Sequence, residues 1–110
     1  MGDVPKDSIL QEAYGLTHGD RQAAYGHPSA DFRATGRIYS AILERWLQSE
    51  GIEVCGFDGD PIGLPDIPPR IVALMLTGVK LSRESAQPKH DNRVDAIGYW
   101  LCSNMIIEGD

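Results

Sequence analysis

The residues best equipped for chemistry gather in one stretch. Lys80, Arg83 and Glu84 precede a short break, His90, Asp91, Arg93 and Asp95 follow it, and Tyr99 stands four positions further on. Two cations at this spacing can clamp a phosphate, the guanidinium as a planar fork and the ammonium as a point charge. Asp91 and Asp95 are four apart, so on a helix both carboxylates point the same way. With Glu84 they form a candidate Mg²⁺ site that ligand phosphates would complete, and Asp95 and Asp91 are the candidate catalytic residues if there is a reaction. Without that metal, no cofactor is expected. A second polar group, Arg21, Tyr25 and His27, lies upstream. Arg21 can take a phosphate, Tyr25 or Tyr99 can stack on a base, and His27 can bond a phosphate or a ring nitrogen.

Each of these side chains also has a structural reading. Lys80 and Arg83 fall at the end of a helix, where positive charge is favourable in any case. A Lys80–Glu84 pair and an Arg83–Asp95 bridge would simply close a helical hairpin. Asp91 can serve as a helix cap, whereas Asp95 lies one turn in, where capping does not account for it. His27 can belong to a plain Gly26-His27-Pro28 turn, and Tyr25 can be a core aromatic with a wet hydroxyl. His18 reads as surface. The chain shows no Ser-His-Asp or Cys-His arrangement, no glycine-rich phosphate loop and no zinc spacing. Asp58-Gly59-Asp60 lacks the rest of a calcium loop.

The elements that must position these groups are helical. Ile9, Leu10, Ala13 and Tyr14 give one apolar face, predicting a first helix from Ser8 to about Gly15 or Leu16, with Thr17–Asp20 as a turn. Asp20 can cap a short helical turn over Arg21–Tyr25, and Pro28 suits the first position of the next helix. There Phe32, Thr35, Tyr39, Ile42, Leu43 and Trp46 recur at threes and fours, while Arg33, Arg37, Ser40, Glu44 and Gln48 fall opposite. That helix should end near Gly51. Residues 51–68 hold four glycines and three prolines and read as a long loop or hairpin arm. Pro68 and Pro69 open a third helix, with Asp66 as its expected cap. It is apolar all round from Ile71 to Leu76, the pattern of a helix buried in mid-bundle. Gln87-Pro88-Lys89 ends it, and a last helix runs from His90 to about Ile107. Its Val94, Ile97, Leu101 and Met105 form a core seam, flanked by a stripe with Asp91, Asp95 and Tyr99 and another with Trp100 and Ile107. So little plainly solvated surface predicts a homo-oligomer, a dimer or larger.

The fold class is therefore all-α: a small bundle of four to five helices in a single domain over residues 1–110, with a loose tail at 1–6. A formal net charge of −6 speaks against a nucleic-acid coat or a membrane-surface protein. No apolar run has signal-peptide or membrane-span character, and Cys55 and Cys102 lack a metal or redox pattern, so a reducing cytoplasm is expected.

Three segments, HGDRQAAYGHPSADF, VALMLTGVKLSRE and HDNRVDAIGYWL, together resemble a family of small phage and prophage proteins. Its domain carries a Tyr-Gly-His-Pro motif, a Lys-x-x-Arg helix and an Asp-x-x-x-Asp helix followed by Gly-Tyr. The pattern is similar, more loosely, to a phage nucleotide-modification-associated domain. It also resembles, more distantly, the all-α nucleotide pyrophosphohydrolases of the MazG type. The resemblance implies an oligomeric helical bundle in a phage nucleotide setting, inside the infected host, with Arg21, Tyr25, His27, Lys80, Arg83, Asp91, Asp95 and Tyr99 at the motif positions. The pyrophosphohydrolases bind Mg²⁺ with acidic pairs on two helices; Lys80 and Arg83 stand where one pair would be wanted.

Three functions follow as expectations. The first is binding of a nucleotide or nucleotide-derived phosphorylated ligand, sequestering a host signal without turnover. The second is Mg²⁺-dependent pyrophosphohydrolysis on Glu84, Asp91 and Asp95. The third is an interaction protein that inhibits or adapts a host factor, using the 51–68 segment and the Trp100 face.

Overall fold

The computed structural model describes residues 8–20 and 26–109. Helix α1 (Ser8–Gly15) continues into a π-helical turn (Leu16–Asp20); α2 spans Pro28–Ser49, α3 Pro69–Ala86 and α4 His90–Glu108. The described residues thus form an all-α fold of four helices. None of these helices is long and apolar enough to cross a membrane.

Thr17–Asp20 is not the expected turn but a widened continuation of α1. Thr17 is buried, and its hydroxyl donates to the Ala13 carbonyl at 3.0 Å. A group that a terminating helix would leave open is thereby satisfied. The helical turn expected over Arg21–Tyr25 and the tail at 1–6 lie outside the described residues. Pro28 opens α2 as predicted, with His27 as its N-cap. Its C-terminus closes through Gly51, at φ 72°. Gly51 N–H donates to Gln48 (3.1 Å) and Ile52 N–H to Leu47 (2.9 Å), which satisfies two terminal carbonyls.

From Gly51 to Pro68 the chain has one isolated antiparallel bridge, Cys55 to Pro61, and otherwise runs irregularly. It is tied back to α2. Buried Ser40 donates to Pro65 O and accepts from Ile67 N–H, both at 2.8 Å, and Glu44 accepts from Leu64 N–H at 3.4 Å. Gly36 lies so close beneath the Ile67 carbonyl that a Cβ there would overlap it. This corrects the polar face assigned to α2: Ser40 is buried, as is Gly36 one turn before it, because the following segment packs on them. Asp66 does not cap α3. Its N-cap is Pro68, and Asp66 instead faces Arg37 at 3.5 Å. In the Asp58–Asp60 turn, Asp58 Oδ1 accepts from Asp60 N–H (3.0 Å), so these aspartates shape a tight turn.

The core centres on Phe32, Val72, Ala73 and Cys102, with Tyr39, Leu76 and Tyr99 packed around it. The helix in the middle is α4, which touches α3, α1, the π-helical turn and α2. The expectation that α3 would be buried on every side is overturned: Val72 and Ala73 are buried, but Leu74, Met75, Val79 and Leu81 are exposed. Among the described residues no helix packs against that outer face. The seams of α4, by contrast, are largely covered within one chain, with Val94, Cys102 and Met105 buried and Trp100 and Ile107 exposed.

Candidate functional site

Helices α3 and α4 run antiparallel around Gln87-Pro88-Lys89, so the end of one meets the start of the other. Positions 80 and 84 are one turn apart on α3 and both face α4. Lys80 Nζ reaches Asp95 Oδ2 at 3.0 Å, and Arg93 Nε donates to Glu84 Oε2 at 2.6 Å. The expected partners are therefore exchanged. Lys80 pairs across the hairpin and not with Glu84, and Asp95 takes Lys80 and not Arg83. Arg83, rotated about 60° from Lys80 on the helix, is exposed and forms no ion pair among the described residues.

Glu84 organises the break between the helices. Its Oε1 accepts the Lys89 backbone N–H at 2.9 Å and lies 3.5 Å from Asn92 Nδ2. The N-cap of α4, Lys89, has no side-chain cap of its own, so a carboxylate from α3 satisfies that terminus and the expected cap from Asp91 is not used. The Lys89 N–H first, and the Arg93 guanidinium second, hold the Glu84 carboxyl below the usual carboxylate range. A third link crosses to α1, His90 Nε2 to Glu12 Oε2 at 2.8 Å.

This arrangement bears on the metal expectation. No three His, Cys, Asp or Glu side chains among the described residues come together as metal ligands. Glu84 is turned into the interhelical break, Asp95 toward Lys80, and Asp91 is exposed, so the magnesium trio does not converge.

Tyr99 is a core aromatic: it is half-buried, tilted at 47° against Phe32 with ring centroids 6.4 Å apart. It is no open stacking platform for a base. Gly98 beside it lies next to Thr17, leaving only contact room for a further carbon (3.6 Å to Cγ2). The π-helical turn and the first turns of α2 thus both reach α4 one turn beyond Asp95. At the N-cap of α2, His27 Nδ1 accepts from Ser29 N–H at 3.2 Å. That fixes the ring proton on Nε2, a buried donor with no partner among the described residues. Arg21 and Tyr25, the other two members of that motif, lie outside the described residues.

Two features escaped the sequence reading. Tyr14 and His18 stack in parallel, 4.1 Å between centroids and 6° between planes; their spacing of four was the available signal. The larger one is an apolar groove of about 540 Å³ between α2 and α3, with Trp46 54% and Ile42 63% exposed along it. The all-round apolar pattern of α3 was its signal, read as burial.

The chain is 30% identical over 103 residues to the Gene 55 protein of Mycobacterium phage D29, covering 93% of this chain and 55% of that protein. It thus spans about half the length of that relative. No solved structure gives a significant match. A family model, the domain of unknown function DUF6378, matches residues 8–107, and the chain belongs to that family.

Proposed function

We propose that this protein binds a nucleotide or nucleotide-derived phosphorylated small molecule, without turnover, where the start of α2 and the α3–α4 charge cluster meet α4. The observation that carries this reading is His27. Its Nε2–H is a buried donor without an acceptor among the described residues, at the N-terminus of the 22-residue helix α2. A buried unmade hydrogen bond costs about 1–3 kcal/mol, and a helix N-terminus favours an anionic acceptor. A phosphate oxygen meets both conditions. The cluster adds preformed charge: Asp95 holds Lys80, 17% exposed, in one position, and the ammonium keeps donors to spare. Arg83 is the exposed cation beside it. In a family with a phage member, such binding would withdraw a host nucleotide signal.

Titration calorimetry with a panel of linear and cyclic nucleotides tests the reading. Binding of at least one is expected, with the ligand recovered intact in the presence of Mg²⁺. Lys80→Ala with Arg83→Ala, or His27→Ala, should weaken it by about tenfold or more. If no nucleotide binds, the reading fails. Release of phosphate or pyrophosphate that disappears in Asp95→Asn would replace it with the hydrolase.

A further inference from the structure

The groove between α2 and α3 needs an occupant. Tyr39, Ile42 and Trp46 form one wall and Met75 and Val79 the other, with Ile67 at its base. Among the lining side chains, the Tyr39 hydroxyl and the Trp46 indole N–H are the only polar groups. Small-molecule sites orient their ligands with several placed polar groups, so this surface is built to meet other apolar side chains. We infer that a second copy of this chain covers it, the α2–α3 pairs of two protomers packing face to face as a four-helix layer about a two-fold axis.

Three observations favour a second copy. The first is area. The chain exposes 7472 Å², against the ~6,000 Å² that scaling gives for a monomer of this mass. Ile42, Trp46, Met75 and Val79, all exposed along the groove, contribute to that excess, and a two-fold contact would cover them. The second is shape. The radius of gyration is 16.9 Å, against ~13 Å for a compact monomer of this length, and the molecule measures 52 × 34 × 24 Å. A protomer this elongated presents a long flank to its partner. The third is charge. A two-fold interface sets the same patch against itself, so charged residues near its axis would repel. The groove walls carry none, although the whole chain is at −6. This inference is independent of the ligand reading: the groove and the charge cluster share no residue.

The test reads association on a folded protein. In sedimentation the wild type is expected to be a dimer at micromolar concentration. Ile42→Glu and Trp46→Glu, both at exposed positions, should raise its dissociation constant on the order of 100-fold with helix content unchanged. Trp100→Gln, on exposed α4 surface outside the groove, should leave the dimer intact. In a Trp100→Phe background Trp46 is the sole tryptophan, and its emission should shift to the blue as concentration rises. A monomer at all concentrations, with Trp46 emission staying red, overturns the inference and leaves the groove to a different partner. A dimer indifferent to Ile42→Glu and lost in Trp100→Gln overturns it in favour of α4.

Discussion

Two regions of this molecule attract attention, and they are opposites in one respect. The α3–α4 hairpin carries the charges that look like a site, and most of them are already engaged: Lys80 with Asp95, Glu84 with Arg93 and the Lys89 amide, His90 with Glu12. The α2–α3 face carries side chains that look like a core, and nothing among the described residues covers Ile42, Trp46, Met75 and Val79. The difference teaches that residue type is a weaker guide to a working surface than unused capacity. A paired charge has spent part of its capacity on holding two helices together, whereas an exposed Trp46, or a His27 nitrogen without a partner among the described residues, still has its interaction to make.

Helix α2 offers the largest test, since it has one occupied flank and one open one. Gly36→Val drives a side chain into the Ile67 backbone and should destabilise by about 3 kcal/mol or more, measured by urea unfolding. Ile42→Glu on the open flank should leave the isolated protomer within about 0.5 kcal/mol of the parent. Similar costs for both would erase the distinction between the flanks.

The paired region should show the asymmetry of a semi-buried ion pair. Asp95→Ala strands the mostly buried Lys80 ammonium and should cost about 1–2 kcal/mol, kept low because Asp95 is still 37% exposed. Lys80→Met keeps the stem packed, frees a wetter partner and should cost less than about 1 kcal/mol. If the lysine change proves the more damaging, Lys80 does more than close the hairpin.

The smallest effect is the pH dependence from Glu84. Its folded-state value is depressed, so its contribution is complete above the ordinary carboxylate value and is lost as pH falls through the folded one. Glu84→Gln should flatten the acid limb of the stability curve and leave its slope near neutrality unchanged. Parallel curves for parent and variant would mean that Glu84 does not tie the break between α3 and α4.

Much of this could be read from the chain. The helices end close to where Pro28, Gly51, Pro69 and Gln87-Pro88 place them, because these residues act on their own backbone. The membership of Lys80, Glu84, Arg93 and Asp95 in one cluster was also legible, since a three-residue break forces the ends of α3 and α4 together. Who pairs with whom was not, because that depends on how each helix is rotated against the other. Ser40 was read as outward-facing for the same reason: periodicity assigns two sides to a helix without saying what arrives at either.

The sequence by itself determined four described helices, the Pro and Gly breaks that bound most of them, and a local gathering of charge, all consequences of interactions a few residues long. The tertiary structure alone decided that α4 and not α3 is the central helix, that Lys80 pairs with Asp95 and Arg93 with Glu84, and that the Ile42–Trp46 end of the α2 seam is exposed beside α3. Those outcomes rest on contacts between distant segments, such as Ser40 with Pro65 and Phe32 with Tyr99, for which hydrophobic pattern sets the need to be buried but not the partner that buries it.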